Sequence, residues 1–283
     1  MRWTTLLLAI SLAGPASAAA GPAPEFELQA RTAHVSYFSR GGARVDVKRS
    51  EAFLERLSRV FGEAPEGWRL EYYYHGSAQS IPTRAGAHAT GLTDLTARRI
   101  DSVRVFHPHE LVHAVAGRIG RCPVFFAEGI AVALTSDGRW GERTIDDVAR
   151  DALASGARLE PFLSAFERQD PRLAYPVAGS FVAFLLDNYG IDAFVAFLRA
   201  CSPSPRRHET AFRRAFGRSV ASAAIAWEAA LRDGQTARWT WSDPQSWPSS
   251  LRRPSDEVEV ANGAGIAAAS GDPDSALLMS VAP

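Results

Sequence analysis

The sequence predicts an α+β protein with its strands early and its helices late. Three observations carry that reading. Between Phe26 and Phe106, short β-prone runs are separated by a single amphipathic helical pattern. From Pro108 onward the apolar periodicity is mainly helical. The order of the two regions suits a small mixed sheet packed against one helix and followed by a mainly helical lobe.

Taken in order, residues 1–18 read as a secretion signal. Met1-Arg2 is a positive start, Trp3 to Ala13 a mainly apolar run, and Ala16-Ser17-Ala18 a small-x-small cleavage site. That run is too short to span a bilayer as a mature helix, and no later stretch reads as a membrane anchor. The expectation is therefore a secreted or periplasmic protein, cleaved near Ala18, with no membrane span. Residues 19–25 form an Ala/Gly/Pro-rich leader, and 26–233 a single domain.

Phe26 to Val47 reads as extended, with Gly41-Gly42 turning the chain between Ala33–Phe38 and Ala43–Val47. In Ser50 to Phe61, residues Phe53, Leu54, Leu57, Val60 and Phe61 share one helical face, and Gly62 stops it. Trp68 to Tyr74 is a strand whose Tyr72-Tyr73-Tyr74 run suits cross-strand packing better than a substrate groove. His75 closes it as a packing residue. Gly76 to Thr93 reads as loop with a short strand, and Ile100 to Phe106 as a strand leading into the next helix.

Apolar residues make up 46% and charged residues 22% of the 283, an ordinary globular balance. Acidic and basic residues number 31 each. With no basic stripe, nucleic acid is not an expected partner. Cys122 and Cys201 lack Cys-x-x-Cys spacing, and in an exported chain they suit a disulfide as well as two buried thiols. From residue 234 to 283 the composition shifts to a polar tail. Its Trp239, Trp241 and Trp247 suit clamping onto the domain, and its end reads as disordered.

The chemistry concentrates in His107-Pro108-His109-Glu110-Leu111-Val112-His113. Pro108 fits a first helical turn, and Gly117 and Gly120 supply the stop. Residues four apart lie one above the other on a helix, so His109 and His113 direct both imidazoles at one point. Two neutral imidazoles there are a partial shell for Zn²⁺, and Glu110 borders the same point as a proton acceptor. His107 is a helix cap or a supporting donor, not a ligand. A third ligand drawn from the metzincin pattern would need Gly and His where Ala116 and Ile119 stand. Glu128, a lone carboxylate in Val124 to Leu134, suits the role, because burying it without a partner is costly. A solvent-facing helix position would accommodate it too.

His-Glu-Leu-Val-His followed by Phe-Phe-Ala-Glu-Gly resembles the gluzincin zinc metallopeptidases, and within them the short bacterial peptidase-MA-like proteins. The resemblance covers residues 30–230, with specific motifs only in 109–129 and 175–190. It implies a zincin-like fold with a small N-terminal mixed sheet on the zinc helix. It further implies His109, His113 and Glu128 as ligands of Zn²⁺, Glu110 as general base, and a polypeptide substrate. Tyr175-Pro176 through Tyr189-Gly190 is similar to the family's Tyr-containing helix, which implies Tyr175 as an oxyanion donor. Two departures stand out: Val132 replaces the Asp that supports a zinc His in thermolysin-like enzymes, and Ala127 replaces the aminopeptidases' Asn. The Gly-x-Met-Glu-Asn amine-binding motif is absent. The expectation is an exported zinc metallopeptidase. The alternatives are an inactive zincin-fold binding protein of the envelope or extracellular space, and a structural protein with an accidental motif. Substrate, endo- or exopeptidase action, the tail's role and oligomeric state stay open.

Overall fold

The computed structural model describes residues 26–40, 42–62, 67, 69–76, 81, 89–136 and 138–234. The expected signal, the leader and the tail beyond Gly234, with its tryptophans, lie outside these residues. The described residues form a mixed α+β fold, a small sheet followed by a mostly helical remainder.

β1 (Glu27–Arg31) and β2 (Val35–Ser39) form an antiparallel pair. Their turn is made by Thr32, whose Oγ1 accepts from the N–H groups of His34 and Val35. The expected hairpin around Gly41-Gly42 is thus displaced, and Ala43 to Val47 forms no strand. Those residues run into a helix cap instead. The Gln29 side chain replaces a strand partner there, donating to the Ala43 carbonyl (2.6 Å) and accepting from Val45 N–H (2.8 Å). α1 (Val47–Phe61) begins before the expected Ser50 because Asp46 caps it through Arg49 N–H. Gly62, at φ 67°, closes it in the left-handed region.

β3 (Leu70–Tyr74) and β5 (Arg99–Ser102) continue the sheet in parallel from β2. β4 (Gly91–Asp94) pairs antiparallel with β5, giving the order β1-β2-β3-β5-β4. At β2 and β3 both faces are buried. Tyr37 and Tyr72 point into the core, and Tyr73 stacks on Phe38 at 4.7 Å on the other face, so the tyrosines pack as expected. β5 stops at Ser102 rather than Phe106 because Ser102 Oγ accepts from Arg104 N–H and bends the chain. His75 is held by Asp101 (2.5 Å), which also takes a two-point contact from Arg99. Burial opposes ionisation of Asp101, but His75 and Arg99 outweigh it and hold the carboxyl below its usual range.

α2 (Pro108–Ile119) packs on β4 and α1. It runs past Gly117 and stops at Gly120, where a Cβ would collide with the Leu198 carbonyl oxygen. α3 (Val124–Thr135) follows, then a hairpin of β6 (Arg139–Trp140) and β7 (Arg143–Thr144), α4 (Ile145–Ala154) and α5 (Leu159–Ser164). α6 (Pro171–Ala200), α7 (Pro205–Phe216) and α8 (Val220–Arg232) complete the lobe. α6 has the length and apolarity to cross a membrane, which corrects the expectation that no later stretch does. Its apolar window is 61% buried within the fold, because α3, α4 and α7 pack around it. Helical backbone breaks inside it at Gly190, at φ 77° and ψ 169°. Ser180 of α6 donates to Asp146 of α4 (2.5 Å) and accepts from Trp227 of α8 (3.0 Å), which ties the three helices.

Two structural features fix α3. Cys122 and Cys201 form a disulfide with Cα atoms 5.3 Å apart, pinning the chain after α2 to the end of α6 across 79 residues. Closing a loop of that length contributes roughly 4 kcal/mol on the chain-entropy account. Second, α3 meets α6 at Gly129 and Gly179. A Cβ on Gly129 would lie 2.5 Å from Val182 Cγ2 and 2.7 Å from the Ala178 carbonyl oxygen. Gly129→Ala gains about 1 kcal/mol of helix propensity but forces overpacking that costs about 1–3 kcal/mol. The variant is expected to melt several degrees lower and to bind zinc more weakly, since the neighbouring Glu128 must move with the backbone. Calorimetry and zinc titration check both effects.

Candidate metal centre

Residues from two helices meet at one point. His109 and His113 project from the same face of α2, one turn apart, and α3 returns Glu128 against them. His109 Nε2 lies 3.0 Å from Glu128 Oε2, His113 Nε2 3.2 Å from the same oxygen, and the two Nε2 atoms are 3.1 Å apart. These atoms form a nearly equilateral triangle. A tetrahedral ion with bonds of about 2.0–2.1 Å requires ligand atoms about 3.3–3.4 Å apart, within a few tenths of that triangle. Hydrogen bonding alone serves the arrangement poorly, because two ring nitrogens at 3.1 Å can hold only one proton between them. The donor set of two imidazoles and one carboxylate therefore fits Zn²⁺.

Electrostatics in the metal-free chain point the same way. Burial disfavours the charged form of His113, but Glu128, with help from Glu110, more than offsets it and raises the imidazolium pKa to about 9. Burial likewise opposes ionisation of Glu128, yet His113 and His109 hold its carboxyl well below the usual range. A metal takes the neutral imidazole, so at pH 7 binding must expel the His113 proton. Apparent zinc affinity is expected to rise about tenfold per pH unit through neutrality and to flatten above about pH 9. Titration against a chelator of known proton affinity reads that slope, and a flat profile from pH 7 to 9 contradicts it.

Glu110 is buried beside the triangle. Thr93 of β4 donates to its Oε2 at 2.7 Å, the same hydroxyl oxygen lying 3.1 Å from the Glu110 backbone carbonyl, so the edge strand fixes the carboxylate. Gly91 permits that approach: a Cβ there would lie 2.5 Å from His107 Nδ1 and 2.7 Å from Glu110 Cγ. Sequence reasoning missed Thr93, because it sits in a small-residue stretch with no local signal.

His107 occupies the cap position but makes no side-chain cap. Its Nδ1 is hydrogen-bonded to Ser102 Oγ at 2.9 Å, joining β5 to the start of α2. Burial, reinforced by the charges of Arg104, His109 and His113, pushes its pKa well below the ordinary histidine value. Tyr175, in the second turn of α6, comes to the site, with its ring centroid 6.2 Å from that of His109. Trp140 stacks on it at 5.9 Å and Phe166 meets it edge-on at 5.3 Å. Burial raises its pKa above the ordinary phenol value, and the charges of Glu128, Glu110 and Glu167 add to the shift. The hydroxyl therefore keeps its proton.

The five residues singled out in the sequence are thus brought together in one place. No family model matches the chain, and neither does any curated protein. Among solved structures, a mutant M1 zinc metallopeptidase from Deinococcus radiodurans bound to a Tyr-Ser-Ala substrate is similar at a TM-score of 0.39 and 16% identity. The match covers 72% of this chain and 50% of that one, so the chain spans about half the length of this neighbour. A likeness at that level adds nothing to the geometry.

Proposed function

We propose that this chain is an exported zinc-dependent metallopeptidase of gluzincin type on a zincin-like fold. The observation that carries the reading is the triangle of His109, His113 and Glu128 beside the buried Glu110. These three residues would hold Zn²⁺, which when bound supplies Lewis-acid polarisation of a carbonyl and acidification of water. Glu110, fixed by Thr93, takes the proton of the attacking water and returns it to the leaving amine. Tyr175, held protonated, donates a hydrogen bond to the oxygen on which negative charge develops.

A polypeptide substrate is supported by β4. It is an edge strand tied through Thr93 to the base, so an extended peptide added along it would pass the site. The Cys122–Cys201 disulfide supports export to an oxidising compartment. Cleavage of an unfolded protein should be lost on chelation and restored by one equivalent of zinc. Cleavage indifferent to chelation contradicts the proposal, and zinc binding without any cleavage points to an inactive scaffold.

A further inference from the structure

Glu110, Ala114, Gly117 and Arg118 fall at helical spacing on one stripe of α2, next to the face that carries His109 and His113, and Arg121 follows just past the helix end. Facing the stripe is the β4–β5 turn, where Leu95 sits so close to Gly117 that any Cβ there would strike it. Between the stripe, this turn and the start of β3 lies a pocket of about 210 Å³. Among the described residues four arginines line it: Arg118 from the helix, Arg121 from just past its end, Arg98 from the turn and Arg69 from beside β3. Asp94 is the one carboxylate among the described lining residues, and its Oδ1 already accepts from the N–H groups of Thr96 and Ala97.

In a chain whose charges balance at 31 each, the described lining residues carry a local excess of positive charge. Cations at a helix C-terminus are ordinary, which covers Arg118 and Arg121. It does not cover Arg69 and Arg98, which reach the same space from other elements. Arg98 moreover has φ 54°, and it is the one non-glycine residue with positive φ among those described. Glycine fits such a position without strain, whereas an L side chain rarely adopts it. The strained residue is thus one of the arginines that line the pocket.

The structure assigns this pocket as a subsite for a carboxylate carried by the peptide, either an acidic side chain or the peptide's own C-terminus. The identity of the ligand rests on the peptidase reading of the metal centre. Thr93 links the pocket to that centre, because it lines the pocket and donates to Glu110. Arginine forks match a carboxylate with two parallel hydrogen bonds, and four arginines line this pocket, Arg121 with its Nη2 3.5 Å from Thr96 Oγ1.

The test is equilibrium binding to the zinc-loaded Glu110→Gln chain, so that turnover does not enter. Three labelled peptides of one length serve as probes: one with internal Glu and an amidated end, one with Gln and a free carboxylate, and one with Gln and an amidated end. At low salt, one of the first two is expected to bind at least tenfold more tightly than the third, and which one identifies the source of the carboxylate. That preference should fall at least fivefold in Arg98→Gly and in Arg121→Gln, while Arg98→Gly melts no lower than its parent. Equal binding of all three peptides, or a preference that survives Arg98→Gly, overturns the assignment. Displacement of the preferred peptide by micromolar inorganic phosphate also overturns it, as a phosphate site. Arginine-dependent binding without cleavage by the wild-type chain would remove the peptidase reading and leave the subsite standing.

Discussion

Glu110→Gln is expected to lower hydrolysis of an unfolded polypeptide by about a thousandfold while leaving zinc content unchanged. A positioned general base contributes about 10²–10⁴ to rate. The amide keeps the size of the carboxylate and can still accept from Thr93, so packing against β4 is retained. What it loses is the capacity to take a proton from water. The metal ligands His109, His113 and Glu128 are untouched, so zinc measured on the same sample separates loss of the base from loss of the site. A Glu110→Gln chain with wild-type activity contradicts the assignment of the base.

Glu128→Ala is expected to weaken zinc binding by roughly two orders of magnitude. Zinc in small structural sites is bound with about 10–16 kcal/mol shared over four ligands, or about 3 kcal/mol for each. Glu128 is also the residue toward which both imidazoles point, at 3.0 and 3.2 Å. Without it, two histidines and solvent remain. Its charge is what raises the pKa of His113 to about 9 in the metal-free chain. The variant should therefore show a shallower dependence of zinc affinity on pH between 7 and 9. Retained affinity together with an unchanged pH slope would exclude Glu128 as a ligand.

The parts of the site legible in the sequence are those set by helical spacing. His109 and His113 had to share a face once Pro108 and the apolar pattern marked a helix. Glu128 stood out as a carboxylate in an otherwise apolar segment, and α3 carries it to the histidines. Features made by contacts between distant segments were not legible. Thr93 reaches Glu110 from a loop-like stretch, and Trp140 and Phe166 reach Tyr175 from separate elements. The four arginines of the pocket come from three regions, each ordinary in isolation.

The fold shows the same division. The alternation of helix and strand could be read from local pattern, but boundaries followed side-chain substitutes for backbone bonds. Thr32 made the turn expected of Gly41-Gly42, and Gln29 stood in for a strand partner of Val45. Ser102 ended β5 early. The apolar window of α6 has its reason in the helices packed around it.

The measurement that tests the metal centre most directly is the zinc content of the purified wild-type chain by elemental analysis. One zinc per chain, lost to a strong chelator and regained stoichiometrically, is the predicted result. A chain that takes up no zinc even when incubated with it would contradict the account, and the triangle of His109, His113 and Glu128 would then be only a hydrogen-bonded cluster.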